Sequence, residues 1–142
     1  MISGNNVMLD LETLGTSPGS AILSIGAVRF GDLPDATGSH IYDRLSVNVS
    51  LGSFLDAGLT IDADTFYWWL SRSEEARSAL TETAPVALKH ALEKFADWIG
   101  PKAKVWGNGA DFDNAILAHA YWSLDMRQPW RFVDSRCYRT VR

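Results

Sequence analysis

A single cysteine, Cys137, among 142 residues leaves the chain without an internal disulfide or the thiolate cluster of a zinc ribbon, and it reads as a protein of a reducing compartment. No apolar run approaches the ~20 residues that a membrane-spanning helix needs. The first residues also lack the basic stretch and continuous apolar stretch of a secretory leader, so the expectation is a cytoplasmic protein with no membrane partner. Positive charge is scarce as well: 13 Lys and Arg against 17 Asp and Glu give a net charge of −4, which argues against binding nucleic acid through bulk positive potential. Acids that hold divalent cations can still meet phosphates through those cations. Repeats, low-complexity tracts and Gly/Ser linkers are absent, so residues 1–142 read as one domain. With 46% hydrophobic and 21% charged residues the chain has the composition of an ordinary globular core. Six Trp, six Phe and four Tyr are core or stacking surfaces.

Alternating and β-branched segments predict strands over residues 7–11, 21–30 and 41–49, joined by turn-rich stretches such as the one around Pro18 and Gly19. Sequential strands with short connections pair, so these three are expected to form an antiparallel meander. A helix is expected from the Asp62–Asp64 start through Leu70, and a second short one from Ser73. Pro85 suits a first helical turn, and Val86, Leu88, Leu92, Phe95, Ala96 and Ile99 follow at helical spacing until Gly100 and Pro101. A strand over 103–106, a helix over 111–122, a last strand over 130–133 and a helix beginning at Ser135 complete the pattern. Strands first, then helices alternating with strands, predict an α/β domain: a mixed sheet flanked by helices.

Asp10 and Glu12 lie two apart on the first strand, so their carboxylates point to one face. Two acids beside Met8, Leu9 and Leu11 either converge on a cation or form a solvated pair at the end of an edge strand. A second cluster lies in the strand, Gly-rich turn and helix that run through Trp106, Asn108, Gly109, Asp111, Phe112 and Asp113. Asp111 fits a helix cap, Phe112 anchors the turn, and Asp113 can face the neighbouring strand.

Together, Asp10-Leu11-Glu12-Thr13 and Asn108-Gly109-x-x-Phe112-Asp113 resemble the first two motifs of the DEDD superfamily of 3'-5' exonucleases, which has an RNase H-like fold. The resemblance continues through Leu14-Gly15-Thr16, the strand from Ile22 to Val28, the segment from Asp64 to Leu70, and Val133-Asp134-Ser135-Arg136. It is greatest to the phage and prophage exonuclease VIII-like branch, itself similar to a bacterial 3'-5' exoribonuclease group. It implies that Asp10, Glu12 and Asp113 bind two divalent ions, Mg²⁺ or Mn²⁺, for hydrolysis at the 3' end of single-stranded DNA or RNA, with a lean to DNA. It places Thr13, Leu14, Asn108, Phe112 and Trp69 at the substrate, with Trp68 or Trp69 offering a stacking face and the other packed in the core.

The family's third motif, a His or Tyr base and a fourth metal-binding Asp, has no counterpart. His40, His90 and His119 occupy a strand, the amphipathic helix and the second-motif helix, and are expected to be structural or at the surface. Asp134 is expected to cap the helix at Ser135, while Arg136 and Arg139 either meet phosphates or are solvated. The expectation is therefore a C-terminally truncated exonuclease. Its alternatives are an impaired remnant that binds nucleic acid or protein, and a subunit completed by another chain, including a homodimer.

Overall fold

The computed structural model describes residues 4–78, 84–109 and 112–141. The alternating N-terminal segments form β1 (Asn6–Thr13), β2 (Ile22–Phe30) and β3 (Ile41–Asn48), paired antiparallel as a meander. Four helices follow, α1 (Leu51–Asp56), α2 (Ala63–Leu70), α3 (Glu74–Ser78) and α4 (Leu88–Ile99), and then β4 (Lys104–Gly107), α5 (Asp113–Ser123), β5 (Ser135–Cys137) and α6 (Tyr138–Val141). β4 and β5 are parallel to β1. The order β3-β2-β1-β4-β5 makes β1 central, and the sheet is mixed as the sequence predicts.

One face of the sheet is apolar because alternation in each strand puts the large hydrophobics there. Val7, Leu9 and Leu11 of β1 are buried, and the register sets Leu9 opposite Ala27, Leu11 opposite Ile25 and Val7 beside Val105. Buried Leu88, Leu92, Phe95 and Ile99 of α4 and Ile116, Leu117 and Tyr121 of α5 join the same core. The Tyr121 hydroxyl donates to the Leu92 carbonyl at 2.6 Å, tying the two helices together. Trp130 closes the core edge-on to both Phe95 and Tyr121. α4 stops at Gly100, whose φ of 75° suits a residue without a β-carbon. At the start of α2, the Asp62 side chain accepts from the Thr65 N–H at 3.0 Å and caps the helix.

Five elements differ from expectation. Pro85 and Val86 are outside α4, because Val86 donates to Asn48 O at 2.9 Å and accepts from Ser50 N at 2.8 Å. A backbone engaged on both sides by the end of β3 is extended, so the helix starts at Leu88. The last strand is not 130–133 but Ser135–Cys137, preceded by a 3-10 turn over Phe132–Asp134. Seating the Trp130 ring in the core turns the chain so that Phe132 and Val133 face solvent. Asp134 does not cap a helix at Ser135; it accepts from Arg131 Nε at 2.8 Å. α1 was not anticipated: it is only six residues long, started by Ser50, whose side chain accepts from Ser53 N. The helix expected over 111–122 begins at Asp113, and the cap assigned to Asp111 lies outside the described residues. His40 faces Gly31 O at 3.1 Å, His90 is exposed on α4, and His119 packs against Trp122.

Phe95 is 0% exposed, so Phe95→Ala should cost about 3–5 kcal/mol of stability in urea unfolding. Leu33→Ala, at a side chain that is 70% exposed, should stay within about 0.5 kcal/mol of the parent.

Candidate active site

The two faces of β1 separate at its C-terminal half. Leu9, Leu11 and Thr13 are buried, whereas Asp10 and Glu12 are exposed on the opposite face. β4 pairs with β1 only as far as Leu9 opposite Gly107, so the edge of β1 beyond that point has no strand partner on this side. The chain turns back through Asn108 and Gly109, and α5 begins at Asp113. Asp113 fills the gap in the ladder: its Oδ1 accepts from the Leu11 backbone N–H at 3.2 Å. The neighbouring Asn114 donates from Nδ2 to Val105 O at 3.0 Å, which pins the start of α5 to β4.

Asp113 is 5% exposed, and burial raises its pKa to about 6. The Leu11 N–H opposes that rise, Asp10 adds to it, and the Arg139 charge acts against it. Glu12 is raised first by burial, then by repulsion from Asp10 and from Asp113. Arg139 lies against Gly109, whose φ is 101°, with its guanidinium carbon 3.3 Å from where a β-carbon would stand. Gly109 thus allows an arginine close to the acids.

Repulsion shared among Asp10, Glu12 and Asp113 is the signature of a set that a cation stabilises. An all-oxygen donor set with incomplete protein coordination suits Mg²⁺ or Mn²⁺. As placed, no three His, Cys, Asp or Glu side chains among the described residues are close enough to hold an ion. The acids match such an ion in chemistry without being preassembled for it.

Beside Glu12 is a cavity of about 480 Å³, whose walls include Thr13, Thr16, Asp64, Trp68, Trp69 and Phe112. Trp69 is 8% exposed and Trp68 is 50% exposed, so the first is wall and the second presents a ring, with the Arg72 guanidinium 4.5 Å over one of its faces. The Trp69 indole donates to Thr13 O at 2.9 Å, and the Leu14 carbonyl accepts from Asp62 N at 2.7 Å; these bonds hold α2 over the end of β1. The Thr13 hydroxyl donates to Gly15 O at 2.7 Å. Leu14 is 5% exposed, part of the core, and does not line the cavity. Asn108 is exposed in the turn after β4. Asp64 and Thr16, which sequence reasoning did not single out as site residues, line the cavity because α2 folds back over the turn after β1.

The chain matches the profile of a family described as the 3'-5' exoribonuclease Rv2179c-like domain over residues 5–142. Among curated proteins none matches it. Among solved structures it resembles the nuclease domain of 3'hExo, a DEDDh family member, bound to rAMP, with a TM-score of 0.55 and 11% identity over 88% of this chain and 62% of that one. A second is cell-death related nuclease 4 (CRN-4), with a TM-score of 0.49 and 13% identity over 82% of this chain and 39% of that one. The fold is the RNase H-like one that the sequence motifs imply. The chain spans less than two thirds of either structure's length.

The raised pKa of Asp113 makes the metal-free protein pH-sensitive. The neutral acid is favoured in the fold, so this contribution is fully present below about pH 4. It is lost as the pH rises through about 6. Asp113→Asn keeps the oxygen that accepts from Leu11 and removes the charge. The variant should therefore melt several degrees higher than the parent at about pH 7.5 in chelator, with the difference vanishing near pH 4 in calorimetry. Added Mn²⁺ should raise the melting temperature of the parent more than that of the variant.

Proposed function

Because the chain belongs to the Rv2179c-like 3'-5' exoribonuclease domain family, we propose that it removes nucleotides from the 3' end of single-stranded nucleic acid. The observation that carries this reading is the convergence of the two motifs, with Asp113 bonded to the β1 backbone between Asp10 and Glu12. Those three residues are the ones to hold Mg²⁺ or Mn²⁺. When bound, such ions activate a water and stabilise the leaving oxygen of an in-line displacement.

The protein's own groups supply position. The cavity beside Glu12 is in the size range of a one-nucleotide site. The exposed Trp68 ring suits a terminal base, in a stack worth about 1–3 kcal/mol. Trp69 and Phe112 keep the wall apolar, and the backbone at Thr13 lies at the junction of cavity and acids. We assign the phosphate side of the same nucleotide to Asn108, on the turn after β4, and to Arg139, which lies against Gly109 and acts on the Asp113 charge. The resemblance to the prophage exonuclease VIII-like branch leans to DNA, whereas the family description names an exoribonuclease; we take RNA as the first substrate.

A second reading is a binding module without turnover, favoured by the fact that the described acids are not placed to hold an ion. Release of nucleotides from end-labelled RNA and DNA single strands, with Mn²⁺, Mg²⁺ or chelator, separates the two. Metal-dependent 3' shortening that falls at least about 10²-fold in Asp10→Ala supports the exonuclease. Binding without shortening supports the module. Specific activity that rises with protein concentration points to completion of the site by a second copy. For the active protein, Trp68→Ala should raise KM by roughly ten-fold, with a smaller effect on kcat.

A further inference from the structure

Arginines are concentrated at one end of this acidic chain. Residues 126–142 hold five arginines against one aspartate, while the whole chain carries −4. Arg127 and Arg131 border a cavity of about 560 Å³ together with Trp130 and Phe132. Arg127 is exposed and has no hydrogen bond or ion pair among the described residues. Arg131 is anchored through Nε to Asp134, yet its side chain is 76% exposed. The Phe132 ring is 83% exposed, makes no ring contact among the described residues, and adjoins Val133, itself 71% exposed. Two exposed arginines and an unburied aromatic ring lining one cavity supply the two kinds of group that a single strand needs, cations for its phosphates and a ring for a base.

This cavity lies at the far end of the sheet from the acids. α5 starts beside Leu11 and ends at Ser123, delivering the chain to this segment. Ser135 is level with Val105, and Val105 with Val7. Asp10 and Glu12 are therefore three and five residues further along β1, an offset along the strands of roughly 10 and roughly 17 Å at about 3.3 Å per residue, to which the two strand spacings from β5 to β1 add. The longer offset alone corresponds to at least about five phosphates at ~3.4 Å per residue of a stacked strand.

We propose that the cavity formed by residues 127–132 is a second contact for single-stranded nucleic acid, holding the strand about five or more nucleotides upstream of the 3' end. Phe132 stacks a base, and Arg127 and Arg131 meet the phosphates on either side of it. The inference rests on the reading above, in which the acids receive the 3' end.

The test is equilibrium binding of labelled 12-nucleotide and 3-nucleotide oligouridylates in chelator, over a series of salt concentrations, to the parent and to the double variant Arg127→Ala/Phe132→Ala. Both side chains are exposed, and an unchanged circular dichroism spectrum and melting temperature confirm the fold. The double variant should bind the 12-mer about ten-fold more weakly, with the slope of log K against log salt smaller by about 0.7, and the trimer as the parent does. Phe132→Tyr, which keeps the ring, should bind as the parent does. Equal 12-mer affinity and slope in parent and double variant overturn the inference, as does an equal loss for the trimer. Because binding is read without metal, these outcomes are distinct from failure of the exonuclease reading, which appears as absence of metal-dependent shortening by the parent protein.

Discussion

A central strand has to present one face to the core and can present the other to solvent, and β1 uses this alternation to carry Leu9 and Leu11 inward and Asp10 and Glu12 outward. What turns that ordinary alternation into a site is the early end of β4 at Gly107, level with Leu9. The Leu11 N–H is left without a strand partner on that side, and Asp113 takes it. A single hydrogen bond thus joins residues 102 positions apart in sequence, and it sets the third carboxylate against the backbone of the strand that carries the other two. Had β4 continued, the ladder would have satisfied Leu11 and no gap would remain for Asp113.

The acids differ in solvation, and that difference is useful chemistry. Asp113 is buried and its pKa pushed to about 6, Glu12 is raised in the same direction by partial desolvation and by its two acidic neighbours, and Asp10 is exposed. The fold tolerates one desolvated carboxylate here because the Leu11 N–H and the Arg139 charge oppose the desolvation. Stability without a cation favours a neutral Asp113, whereas the cation binding proposed above requires it charged. The same economy governs α2. Trp69 is committed to the wall by its bond to Thr13 O, whereas the neighbouring Trp68 is half exposed, with Arg72 over its ring.

The apolar core and the meander were legible because both depend on short-range periodicity. Val7 to Leu11, Ile22 to Val28 and the Leu88 to Ile99 stripe carry their period in neighbouring residues. The misread segments are those where a distant contact overrides local preference. Pro85 and Val86 look like a helix start, but the end of β3 captures the Val86 backbone. Residues 130–133 look like a strand, but the Trp130 ring is drawn between Phe95 and Tyr121, which moves the strand to Ser135.

By itself the sequence determined that Asp10 and Glu12 share a face, since side-chain direction along a strand follows from spacing alone. It also placed Asp113 at the start of a helix after a glycine-containing turn. Only the tertiary structure decided that Asp113 reaches the Leu11 backbone, which tryptophan is wall and which is exposed, and that Arg139 lies over Gly109. Each of these depends on where β4 stops and on how α2 and α6 fold back. Contacts between residues far apart in the chain are set by packing of the whole sheet, which no local pattern encodes.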